Sequence, residues 1–261
     1  MDIEHKHLDS LARGQSSILV FDCEFWHVME EGKYIYVKDK DFFFVPREFG
    51  GFMVTKKKDT WKYSDDFFVT LSAPKKDVVI PITHYSTVTP QTGWKLDEIE
   101  KSIGVPWGES FPSTLDKEQK DLHKKAMKLY ADDENIKEHH KASKAWYKKF
   151  IKIYSESTIV VKGKGDIEAI QNACTIYEVE YKEPKEVVDI ALWNQTSYKL
   201  CKTAKLEGSF VCVKSKFDKD LKEIQKLLPL DKAHDPRTDA SMTFLLALYI
   251  EDLTKTGGRF R

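Results

Sequence analysis

The sequence predicts an α/β fold built on a mixed β-sheet flanked by helices, and three observations point to it. Short β-branched and aromatic runs fill the first third of the chain. A strand, a glycine-bearing turn and a helix follow one another at 157 to 174. The chain then closes on a long apolar helix. Strands first, then strand–helix–strand and helices, is the order expected of a sheet packed between helical layers.

Residues 1 to 16, "MDIEHKHLDSLARGQS", are polar and read as a frayed lead-in. "SILVFD" at 17 to 22 is a short, largely apolar strand. The segment 34 to 71 is rich in Tyr, Phe and Val, with Pro46, Gly50 and Gly51 as punctuation, which suggests two or three antiparallel strands. "VVIPITHYSTVTP" at 78 to 90 is a further extended candidate, broken by Pro81 and Pro90. Leu115 to Tyr154 is helical in composition and rich in Lys. Leu122, Ala126, Leu129 and Tyr130 recur there at helical spacing, as do Trp146, Phe150, Ile153 and Tyr154, and both sets suit core packing. The Lys-rich faces are either simply solvated or laid along a phosphate backbone. "STIVVKG" (157 to 163) is a strand, "DIEAIQNAC" (166 to 174) a helix and "EVVDIALW" (186 to 193) a strand. "DKDLKEIQKLLP" (218 to 229) is an amphipathic helix stopped by Pro229, and "TDASMTFLLALYIEDL" (238 to 253) carries the longest apolar helical face. With no internal repeat or low-complexity linker, one domain over 1 to 261 is the simplest organisation, enlarged by a helical, Lys-rich insertion at about 91 to 150.

Lys plus Arg balances Asp plus Glu at 42 each, so any nucleic-acid surface must be a local patch. No stretch approaches the roughly 20 apolar residues of a membrane span, and the N-terminus lacks the apolar core of a signal peptide. An intracellular, cytoplasmic or nuclear, soluble protein is expected, of unspecified oligomeric state. Cys23, Cys174, Cys201 and Cys212 form no CxxC pair and read as free thiols. A zinc site from Cys201, Cys212 and a His such as His84 would lack the usual ligand spacings. His139 and His140 sit in a Lys-rich polar helix and read as solvated.

The apolar run at 17 to 21 ends in Asp22 and Glu24, one residue apart and therefore on one face of a strand. Two carboxylates that close repel unless a cation, a proton or ample water intervenes. A DxE pair alone is unspecific. Asp166 repeats the setting, following a strand through a Gly-Lys-Gly turn at the head of a helix. Asp239 opens the last helix, and His234 precedes it with four residues between, in "HDPRTDA", where Pro236 stiffens the turn. All five groups fall at element ends, where a site is both exposed and rigidly held.

In this order and setting the motifs resemble those of the DEDDh-type 3′-to-5′ exonucleases, which share a ribonuclease-H-like fold. "FDCEF" is similar to that family's first motif, "VVKGKGD" to its second and "HDPRTDA" to its third. The tyrosine branch would need Tyr where Asp235 stands. The likeness spans roughly residues 17 to 75 and 142 to 253. Two features depart from it: Phe25 stands where relatives often carry Thr, and the middle segment is longer than a compact member needs.

The resemblance implies hydrolysis of RNA or DNA from the 3′ end, releasing nucleoside 5′-monophosphates. Asp22, Glu24, Asp166 and Asp239 correspond to the metal-binding acids and His234 to the general base. Two divalent cations, Mg²⁺ or Mn²⁺, are the implied cofactors, since hard ions prefer oxygen ligands. Cys23, Phe25, Trp26 and Val28 are the candidate substrate contacts, with one of Phe25 and Trp26 expected in the core and the other lining the site. The expected partner is a 3′ end of nucleic acid, single-stranded for want of a strand-separating device. Two rival readings are a nucleic-acid-binding module that keeps the fold without activity, and a phosphoesterase for small nucleotides.

Overall fold

The structure, a computed structural model, describes residues 1–30, 33–34, 44–64, 66–70, 78–79, 133–193, 201–231 and 235–255. Its strands are β1 (Asp2–Ile3), β2 (Ser17–Glu30), β3 (Lys33–Tyr34), β4 (Phe44–Lys57), β5 (Thr60–Tyr63), β6 (Phe67–Thr70), β7 (Val78–Val79), β8 (Thr158–Val161) and β9 (Glu186–Asp189). Its helices are α1 (Leu8–Leu11), α2 (Asp133–Ser155), α3 (Gly165–Ile176), α4 (Leu206–Val213), α5 (Lys219–Gln225) and α6 (Pro236–Lys255).

One mixed sheet runs in the order β1-β5-β4-β2-β8-β9. β2 pairs antiparallel with β4 and parallel with β8, and β8 pairs parallel with β9. The expected α/β class, a mixed sheet flanked by helices in a ribonuclease-H-like arrangement, is what the chain forms. The 133–155 portion of the enlarged middle is helical as expected. Residues 91 to 132, with Leu122, Ala126, Leu129 and Tyr130, lie outside the described residues, as do His84, Trp94 and Trp107.

The pleat of β2 sends alternate side chains to two separate cores. Val20 joins Phe52, Val54, Val160 and the buried face of α6 (Phe244, Leu245, Leu248) on one side. Phe21 turns to the other, where its ring lies 4.9 Å from Phe49 and 5.7 Å from Phe150 of α2. Trp146 stacks on Phe150 at 4.9 Å. Such aromatic contacts contribute about 0.5–1.5 kcal/mol each beyond area burial.

Several expectations need correcting. Residues 1 to 16 are docked, not frayed. β1 pairs with β5, and Ile3, Leu8, Leu11 and Ala12 are buried. Polar residues between them bind the last turns of α6: His7 Nε2 lies 2.9 Å from Asp252 Oδ1, and the Ser10 hydroxyl donates to Glu251 at 2.6 Å. Ile153, expected in the core, is exposed, because Tyr147, Phe150, Ile151 and Tyr154 form the inward stripe of α2. The strand at 186 to 193 stops at Asp189 and tightens into a 3₁₀ turn over Ile190–Trp193. Cys201 and Cys212 are joined in a disulfide, against the free-thiol reading and the zinc alternative, because folding α4 back brings their Cα atoms to 5.8 Å. Cys23 and Cys174 are free and buried.

Candidate metal centre

The site forms at the carboxyl-terminal side of the β2–β8 pairing. The register sets Val20 opposite Val160, and continuing it brings Asp22 level with Lys162 just past β8. Because Asp22 and Glu24 share the face of Val20, both point toward α6. Asp239, in the first turn of α6, comes from that layer. One carboxylate oxygen from each of Asp22, Glu24 and Asp239 lies within 4.8 Å of the other two. The first and third motifs, more than 200 residues apart, thus converge on one point.

Two local devices hold α6 in place. Asp235 is its N-cap: its carboxylate accepts from the Arg237 amide at 2.9 Å, and its carbonyl accepts from the Asp239 amide at 3.0 Å. Pro236 takes the first helical position, where no amide hydrogen is needed. The Arg237 guanidinium grips Asp235 through two bonds of 3.0 and 2.7 Å and reaches Asp66 at 3.2 Å. Gly50 pairs with Asp22 across β2 and β4, and a Cβ there would stand 2.8 Å from the Arg237 amide nitrogen. Only a glycine lets the helix start this close to the sheet beside the acids. Asp235, Arg237 and Gly50 were not singled out in the sequence. Glycine in "EFGG" and the residues between His234 and Asp239 were the available signals.

Asp166 enters from α3. It is buried, and its carboxylate accepts the Cys23 amide at 3.1 Å, which ties α3 to β2 between the two motif acids. The turn before it is fixed by Asp189, whose carboxylate accepts the amides of Gly163 at 2.7 Å and Ala191 at 2.8 Å. Gly163, at φ +96°, supplies the left-handed backbone that the turn requires. Asp166 stands beside the Asp22–Glu24–Asp239 group without belonging to it.

Electrostatics mark the cluster as strained when no cation is bound. Burial raises the Asp22 carboxyl well above the usual range, and Asp166, Asp239 and Glu24 push it further, with Lys162 in opposition. Burial also pushes Asp166 up to about 7, although its bonds from Cys23 pull the other way. Glu48, directly across from Glu24 in the ladder, is fully buried on the same face and adds a carboxyl that the sequence reading passed over.

Among the other candidates, the Cys23 thiol is 4% exposed, on the face away from Asp22 and Glu24, and its titration is driven well upward by burial. Phe25 is half-buried, just past a register shift in the β2–β4 ladder. Trp26 and Val28 have a described backbone, in β2, but their side chains lie outside the described residues. His234 lies outside them altogether. No helix among the described residues is long and apolar enough to cross a membrane.

The acidic group is thus a possible metal-coordinating site on an α/β fold consistent with the broad ribonuclease-H-like superfamily. No protein-family model and no curated protein matches the chain.

Proposed function

We propose that the chain is a metal-dependent 3′-to-5′ exonuclease of the DEDDh type, acting on single-stranded RNA or DNA. The observation that carries this reading is the convergence of Asp22, Glu24 and Asp239 within 4.8 Å, the first two midway along β2, which runs on to Glu30 instead of stopping at the acids, and just past its pairing with β8. Three anionic oxygens on rigid elements are a donor set for a hard divalent cation such as Mg²⁺ or Mn²⁺. Burial, and with it the repulsion from the neighbouring acids, raises the Asp22 carboxyl, and a bound cation would offset both. Asp22, Glu24 and Asp239, with Asp166 beside them, would hold the divalent cations. When bound, such a pair neutralises charge on the scissile phosphate and acidifies the attacking water.

The chain's own groups do the rest. His234, two residues before Pro236 in the sequence, would accept a proton from the attacking water, since imidazole titrates near neutral pH. Asp235 and Arg237 fix the helix start that follows it. One of Phe25 and Trp26 would stack on the terminal base, with Val28 as an apolar wedge against it. The products are nucleoside 5′-monophosphates.

The test is a 5′-labelled oligonucleotide incubated with purified protein in Mg²⁺ and in Mn²⁺, alongside Asp22→Ala and His234→Ala. Stepwise shortening from the 3′ end, lost with EDTA and in both variants, is expected. A wild-type protein that binds the oligonucleotide without cutting it in either metal would establish the inactive binding module instead.

A further inference from the structure

The cavity between α4 and α6 adjoins the acid group and has no part in the reading above. It encloses about 540 Å³, within the range of small-molecule sites. Its walls are Leu206, Phe210 and Val211 from α4, Leu230 from the turn after α5, and Met242 from α6. Asp239 completes the lining. One carboxylate therefore belongs to both the cavity and the candidate metal centre, one turn of α6 away from Met242. Anything filling the cavity with a phosphate attached can bring that phosphate toward the acids.

The chemistry of the walls narrows the occupant. Five apolar side chains, one of them aromatic, suit a flat ring system more than a sugar or a second phosphate. Lys205, Glu207 and Thr238 also line the cavity, and with Asp239 the charged groups leave one net negative charge, which disfavours an anionic ring. An uncharged planar ring matches both features, and aromatic and apolar surfaces take any base because every base has a π-face. Val211 is 53% exposed, which leaves it open to solvent and to an incoming ring. Phe210 packs edge-on against Phe217, whose ring centre lies 6.0 Å away.

We infer that this cavity is a nucleobase site, binding one base of the nucleotide chain whose phosphate lies at Asp22, Glu24 and Asp239. The inference rests on the hydrolase reading and extends it: substrate is held on the α4–α6 side of the acids as well as beside Phe25.

The experiment measures binding of adenosine 5′-monophosphate and of ribose 5-phosphate to the full chain in Mg²⁺, by calorimetry, for wild type, Val211→Gln and Phe210→Leu. The expected result is that the nucleotide binds at least tenfold more tightly than the sugar phosphate. Val211→Gln should cut that advantage below threefold while leaving ribose 5-phosphate unchanged. Phe210→Leu, which keeps the apolar wall but removes the ring, should cut it severalfold. Equal affinity for the two probes, or an advantage untouched by both variants, overturns the inference. Mg²⁺ titrated alone separates this from the underlying reading. A protein that binds no metal refutes the hydrolase, whereas a metal-binding protein with no preference for the base refutes only the cavity's role.

Discussion

Replacing Asp166 with Asn should make the metal-free protein more stable, and more so as pH rises. The carboxyl is buried, and its pKa stands at about 7 against its usual 3.8. Because that value is higher in the folded chain than in the unfolded one, the unfolded chain releases the proton first. Folding is therefore penalised progressively from pH 3.8 up to about 7. At about 1.4 kcal/mol per pH unit, the penalty is roughly 4 kcal/mol at pH 8 and less than half of that at pH 5. Asn keeps an oxygen to accept the Cys23 amide but cannot ionise, so Asp166→Asn removes the penalty without losing that bond. Thermal unfolding in EDTA is the assay. At about 2–4 °C per kcal/mol for a chain of this size, the variant should melt about 8–16 °C above wild type at pH 8, and by less than half that margin at pH 5. Saturating Mg²⁺ should narrow the difference at pH 8 by stabilising wild type more. A variant no more stable than wild type, or a gain that does not grow with pH, would refute the picture of a repelled, buried acid.

Gly50→Ala should push the start of α6 off the sheet, since the added methyl meets the Arg237 amide at 2.8 Å. A loss of about 1–3 kcal/mol of stability is expected from such overpacking, and calorimetry should show weaker Mn²⁺ binding as well. Cys201→Ser/Cys212→Ser, or reduction with dithiothreitol, opens the loop of sequence separation 11 that the disulfide closes. By loop entropy this costs about 3 kcal/mol, read as a lower melting temperature of the reduced protein, or of the double variant, than of the oxidised wild type. His5 is buried, and burial lowers its pKa from 6.5 despite the pull of Asp218 at 3.5 Å. Its contribution is complete above pH 6.5 and is lost as the pH falls below that, where only the unfolded chain takes up the proton. The destabilisation caused by His5→Gln should accordingly be larger at pH 8 than at pH 5, by chemical denaturation.

The acids were legible in sequence because each adjoins an apolar pattern that is strong, although β2 runs on through Asp22 and Glu24 to Glu30 instead of stopping at them. "SILVF" can only be a buried strand, so the pleat puts Asp22 and Glu24 on one face. The apolar face of α6 likewise fixes Asp239 in its first turn. What stayed hidden depends on packing that no local pattern announces. Glu48 becomes a neighbour of Glu24 only through the β2–β4 register, and Gly50 matters only because α6 crosses there. The lead-in looked disordered because its apolar residues, Ile3, Leu8 and Leu11, are spaced between charges. Those charges have partners on β5 and α6, as with Lys62 facing Asp2 and Asp252 facing Lys6. The Cys201–Cys212 pair was unreadable for the same reason: spacing alone does not say that α4 folds back on the segment before it. "EVVDIALW" failed as a full strand because Asp189 spends its carboxylate on two turn amides, which ends the extended run.

The most direct test of the metal centre is a Mn²⁺ titration followed by electron paramagnetic resonance, on wild type, Asp22→Asn, Glu24→Gln and Asp239→Asn. Three carboxylates meeting within 4.8 Å should bind the ion in wild type, and each variant should weaken that binding at least tenfold while remaining folded. Binding that survives in all three variants, or a wild-type chain that leaves Mn²⁺ free, would contradict the account.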